Sequence, residues 1–145
     1  MEMILSLFLF SLLLASLLPL FPILRAREVD LAREIAMEEE AVRFYSYMEN
    51  QHMNLTDWVI SSSANSVTTY TYGSPTAKKY DHDGFRVVEV DVRRGGNLFI
   101  AHDVKSVLFI NDPPFLRVRL TLMRDGEMRT YEGVLPRYIE GGGDP

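Results

Sequence analysis

The first two dozen positions are almost unbroken in apolar character, and the period of the pattern then changes twice. From Met3 to Leu24 the chain runs 22 residues without a charge, with serines as its only polar side chains. About 20 apolar residues at 1.5 Å rise cross the roughly 30 Å hydrocarbon layer of a bilayer, so this run predicts a membrane-spanning helix. A secretory signal carries a shorter apolar stretch of about 7 to 15 residues, and Ala15-Ser16 is a poor cleavage site with so much apolar chain still to come. Pro19 and Pro22 interrupt the run. Neither has a backbone N–H, which leaves the carbonyls of Ala15 and Leu18 without helical donors, so a kink or partial unwinding is expected there. Packed neighbouring helices tolerate such a break more readily than lipid does.

From Arg27 to about Met53 there is neither Pro nor Gly, and Leu31, Ile35, Val42, Tyr45 and Met48 recur at spacings of three, four or seven. Glu34, Glu38, Glu39, Glu40 and Arg43 occupy the other face. The pattern predicts an amphipathic continuation of the first helix, with its apolar stripe docked on a domain. Asn54-Leu55-Thr56 fits a glycosylation sequon but reads better as a helix end with a new cap at Thr56 or Asp57. Trp58, Val59 and Ile60 then predict a brief helical turn or loop, fading into Ser61-Ser62-Ser63.

Strand signals fill the remainder. Val67 to Tyr72 is stopped by Gly73-Ser74-Pro75. Val88, Val90 and Val92 alternate with Glu89, Asp91 and Arg93, which predicts a strand with Glu89 on its wet face. Arg94-Gly95-Gly96-Asn97 turns the chain into Leu98–Ala101, and Val104–Ile110 runs until Asn111-Asp112-Pro113-Pro114. Leu116, Val118, Leu120 and Leu122 alternate with polar partners, and Asp125-Gly126 signals a hairpin into Met128–Val134. An antiparallel sheet with one apolar face needs a cover, and the long helix is the amphipathic element available. The expected fold is α+β, a long N-terminal helix, transmembrane then amphipathic, packed on an antiparallel meander of about five or six strands. Its divisions are the span at 1–24, the amphipathic helix at 25–55, the β-domain at 56–140 and a flexible tail at 141–145.

Composition narrows the function. The 145 residues carry a formal net charge of -5, and no window is dominated by Lys and Arg, so direct nucleic-acid binding is not expected. The chain has no cysteine, which removes disulfides, thiolate nucleophiles and Cys-based zinc sites. His52, His82 and His102 lack metal-ligand spacing, and no nucleophile elbow or phosphate-binding Gly loop occurs, so no catalytic residue, cofactor or metal is expected. Asp81-His82-Asp83-Gly84 carries a fragment of a calcium loop without the other ligands, and Asp-Gly is ordinary turn chemistry. Glu38-Glu39-Glu40 reads as a solvated helix face rather than a carboxylate metal site.

Glu2 stands at the very start of the apolar run, where burial in lipid costs roughly 2.5 kcal/mol or more unless a partner neutralises it. The string Glu2-Met3-Ile4-Leu5-Ser6-Leu7, with Pro19 seventeen residues after the glutamate, resembles the start of mature type IV pilins and pseudopilins. The resemblance covers about 25 residues and implies assembly roles for Glu2, Pro19 and Pro22. Glu2 would pair with a neighbouring subunit's free amino terminus, and the proline region would loosen the helix inside a filament. The helix-then-meander order is pilin-like too. Residues 80 to 143, with Arg93-Arg94 before a Gly turn, Val104-Lys105-Ser106-Val107-Leu108-Phe109, and a closing hairpin through Tyr131 to Tyr138 and Gly141-Gly142-Gly143, resemble the competence minor pseudopilin branch, ComGF of Gram-positive bacteria. Two departures are a lengthy Pro113-Pro114 connection and the missing basic leader ending in Gly. The second leads to the expectation that the chain starts at an internal Met just downstream of the processing site.

The resemblance implies a minor pseudopilin of a competence pseudopilus used in DNA uptake. Its implied partners are other pilin subunits through the N-terminal helix, the membrane, and a prepilin peptidase if a leader lies upstream. Arg25 and Arg27 directly after the span pull the carboxyl-terminal side toward the cytoplasm by charge alone, whereas the family places that domain outside. Two alternatives stand: a minor pseudopilin of type II secretion, and a monomeric membrane-anchored ectodomain that binds a ligand.

Overall fold

The computed structural model describes residues 2–138 other than 75 and 94. The flexible tail expected at 141–145, with Arg94 and Pro75 of the expected turns, lies outside the described residues. The chain forms two compact units, dividing between Ala36 and Met37.

In the first unit, α1 (Glu2–Leu17) is followed by the opening turns of α2 (Leu20–Gln51). Leu18 N still donates to Leu14 O at 3.0 Å, but Pro19 has no proton for the Ala15 carbonyl, and the helix stops. Pro22 falls in the first turn of α2, where a backbone N–H has no intrahelical acceptor, so it starts the helix instead of breaking it. Of the two expected interruptions, the structure therefore makes one. No residue of α1 is buried, and among the described residues one helix, running from Glu2, is long and apolar enough to cross a membrane.

The second unit sets the end of α2, from Met37, on eight antiparallel strands among the described residues. A five-stranded sheet comprises β1 (Leu55–Ile60), β2 (Ser66–Thr71), β3 (Lys78–His82), β4 (Val87–Asp91) and β5 (Asn97–Ala101). A three-stranded sheet comprises β6 (Val104–Asp112), β7 (Phe115–Arg124) and β8 (Glu127–Pro136). Within each sheet neighbours in space are neighbours in sequence, so the α+β fold with a β-meander is as the periodicity predicts, but the described strands number eight in two sheets where about five or six in one were expected. Phe44, Met48, Leu55, Val67, Tyr80, Val107, Phe109 and Leu116 through Leu122 in alternation form one core between helix and sheets.

Several local expectations are corrected. Trp58, Val59 and Ile60 belong to strand β1, not to a turn; Trp58 faces Thr69 of β2 and donates its indole N–H to Asn111 at 3.0 Å. Strand β3 was not foreseen, because Lys-Lys-Tyr-Asp-His offers Tyr80 alone to the core. The Pro113-Pro114 connection is no lengthy loop but a two-residue turn with a cis bond, pairing Asp112 with Phe115. The Asp125-Gly126 hairpin is as read, with φ of 50° and 86° at its two residues, the left-handed pair that a type I′ turn requires.

The apolar face of α2 is corrected in part: Met48 is buried and Tyr45 packs against the core as the pattern predicts, but the other three positions face out. Met37, Ala41, Phe44 and Met48 are buried, whereas Leu31, Ile35 and Val42 are 57 %, 46 % and 59 % exposed. At 3.6 residues per turn the two stripes lie roughly 130° apart. The sequence holds both, and the 4-3-4 spacing of the buried one seats it on the sheets.

Candidate functional site

The residues expected to act in assembly lie along α1 and its junction with α2. Glu2 stands in the first turn of α1, where the partial positive charge of the helix start favours a carboxylate. Leu and Phe side chains are exposed along α1, and Ser6, Ser11 and Ser16 return their hydroxyls to Met3, Phe8 and Leu13 carbonyls, hiding their polarity within the helix. By length and composition this segment is a candidate membrane span. Pro19 makes the break and Pro22 opens the next helix, so the structure distinguishes two residues that the sequence treats alike.

The acidic run of α2 divides by task. Glu40 accepts from Arg43 at 2.6 Å and from the backbone N–H of His102 at 2.6 Å, tying the helix to the connection after β5. Glu38 and Glu39 are exposed. In the Asp81-to-Gly84 stretch, Asp81 pairs with Lys79 at 2.9 Å and the His82 ring lies 3.2 Å from Val104 O, while Gly84 turns the chain at φ 64°. Among the described residues no three His, Cys, Asp or Glu side chains gather in a way that would hold a metal.

A polar cluster between α2 and the five-stranded sheet is the feature that sequence reasoning missed. Glu89, read as facing water, points into the core opposite Tyr80 and is 8 % exposed. Its Oε2 accepts the hydroxyls of Tyr47 at 2.7 Å and Tyr80 at 2.9 Å, and its Oε1 lies 2.8 Å from Lys78 Nζ. Lys78 also donates to Gln51 Oε1 at 2.5 Å. Burial pushes the Glu89 carboxyl up, but the hydrogen bonds from Lys78, Tyr47 and Tyr80 and the Lys78 charge hold it below the usual carboxylate range. The Tyr80 and Tyr47 hydroxyls move the other way, raised by burial first and then by Glu89, through its charge foremost at Tyr80 and its hydrogen bond foremost at Tyr47. Both stay protonated and donate.

Beside this cluster His52 is 2 % exposed, its ring edge-on to Tyr80 at 5.2 Å, and neither ring nitrogen meets a partner among the described residues. Burial, then the nearby Lys78 ammonium, lower its pKa from 6.5 to about 4, against a smaller pull from Glu89. The imidazole is therefore neutral. Tyr47, Tyr80 and Lys78 all converge on the Glu89 carboxylate, so the chemistry on display is cohesion of helix and sheet. A signal for it existed: Tyr80 within the polar β3 and Glu89 within a valine strand both break their local pattern.

Comparison with protein-family models, with curated proteins and with solved structures yields no match.

Proposed function

We propose that this chain is a minor pseudopilin of a type IV pilus-like competence pseudopilus, acting in DNA uptake during natural transformation. The observation that carries the reading is a single sequence of features. An apolar helix begins at Glu2, breaks at Pro19, and resumes as a helix whose far end is built into an antiparallel β-domain. In that role α1 packs among the equivalent helices of other subunits, Glu2 meets a neighbour's amino terminus, and the β-domain lies outside the membrane at the cell surface. The exposed Leu31 and Ile35 add apolar surface beyond the span, on a helix face available to neighbours.

The test is a pair of chromosomal variants scored for transformation frequency and for pseudopilus assembly by cross-linking. Glu2→Ala should abolish both, and replacement of residues 3–24 by an unrelated apolar helix without proline should do the same. Full transformation by the helix-replacement strain would instead identify a monomeric anchored ectodomain. Loss of protein secretion with normal transformation would identify a type II secretion subunit.

A further inference from the structure

Beside the helix–sheet junction, α2 and β8 leave an open groove of about 350 Å³ whose lining includes Glu38, Val42, Glu49 and Glu132, with the Tyr45 ring and Gly133 between them. Val42 is the exposed apolar side chain here, 59 % accessible, on the face of α2 turned away from the sealed stripe of Met37, Ala41, Phe44 and Met48. Glu38 precedes it by four residues and Glu49 follows by seven, so all three share one helix face within roughly 40°, spread over about 16 Å of axis. Among the described residues three carboxylates and no cation line the groove. Glu132 is met by Arg119 at 2.6 Å and Arg117 at 3.7 Å, whereas Glu38 and Glu49 are exposed.

From this geometry we propose that the α2–β8 groove docks a helix of a different polypeptide, one presenting a basic, an apolar and a second basic side chain at matching spacing. The apolar residue seats on Val42, and the cations answer Glu38 and Glu49. A chain that shares the direction of α2 places its apolar residue four after the first cation and seven before the second; an opposed chain reverses the order. A second copy of this protein is disfavoured, since its own α2 face would bring carboxylates against carboxylates. The proposal holds whether or not the chain enters a filament.

The probe is a fluorescein-labelled, alanine-rich helical peptide of about 20 residues, long enough to hold a helix when seated. It carries Lys, Leu and Lys at these spacings and is titrated by anisotropy against the full-length protein in detergent micelles. Two controls replace both lysines with Glu, or the Leu with Ser. The Lys peptide should bind at least about tenfold more tightly than either control and weaken as salt rises. The same loss, about tenfold, is expected for the protein carrying Glu38→Lys with Glu49→Lys, and for Val42→Ser. These positions are exposed, so an unchanged melting temperature certifies the fold of each variant. Equal binding of the Glu peptide, indifference to the protein substitutions, or no binding by any peptide would overturn the proposal. So would self-association of the wild-type protein that Val42→Ser abolishes.

Discussion

The ring of Tyr45 fills the space where a β-carbon on Gly133 would stand, and its hydroxyl bridges the Val118 and Tyr131 carbonyl oxygens at 3.0 and 2.9 Å. A side chain on α2 thus reaches across β8 to bond two strands of the three-stranded sheet. The glycine is there for close approach, since its backbone does not need positive φ.

Gly133→Ala should therefore destabilise the domain by roughly 1–3 kcal/mol, as the new methyl displaces the ring and its hydrogen bond. Tyr45→Phe should cost about 1 kcal/mol, the net value of one such bond. In urea denaturation the double variant Tyr45→Ala with Gly133→Ala should show strong non-additivity, because removing the ring makes room for the methyl.

His52 makes stability depend on pH. Its folded pKa lies below its unfolded value, so the unfolded chain takes up a proton first, and stability falls as pH drops from 6.5 to about 4. That interval corresponds to roughly 3 kcal/mol. Denaturation midpoints measured across it should fall for the wild type and flatten for His52→Phe, which keeps the ring contact with Tyr80. An unchanged slope in the variant would refute the assignment.

Glu89 acts in a lower window. Its carboxyl titrates below the ordinary carboxylate range in the fold, so its contribution is complete above that range and disappears as pH falls through the folded value. At neutral pH, Glu89→Ala strands Lys78 and two tyrosine hydroxyls and should cost about 3–5 kcal/mol. Tyr47→Phe removes one charge-assisted bond and should cost about 1.5–3 kcal/mol.

The two prolines should separate experimentally. Pro19→Ala restores a donor for the Ala15 carbonyl and should join α1 to α2, slowing amide exchange at residues 18–20 in micelles. Pro22→Ala should leave the break in place. If both variants exchange alike, Pro19 does not terminate α1.

How much of this was legible follows from where polar groups face. Strands β7 and β8 announce themselves because every core residue of β7 alternates with a solvated one, and the Asp125-Gly126 turn fixes their register. Strand β4 was recognised with its face inverted: the rule that carboxylates face water fails once Tyr47, Tyr80 and Lys78 satisfy Glu89 inside. Those partners lie in α2 and β3, too distant in sequence for local pattern to reveal. The docked face of α2 is legible only through Tyr45 and Met48, for a related reason. Two apolar stripes coexist on it, and only the sheets choose between them. The missing protons mark a break near Pro19 and Pro22 in the sequence, but which of the two makes it depends on where the second helix starts.

Tyr45 and Tyr47 stand two residues apart on α2 and fasten it to different sheets, the first to Val118 and Tyr131, the second to Glu89. Tension drawn along the helix is accordingly divided between two sheets that share one core and loads both attachments in shear. Neither can be unzipped one bond at a time, so the junction should yield at high force in a single rupture, with the helix sliding free of both sheets together.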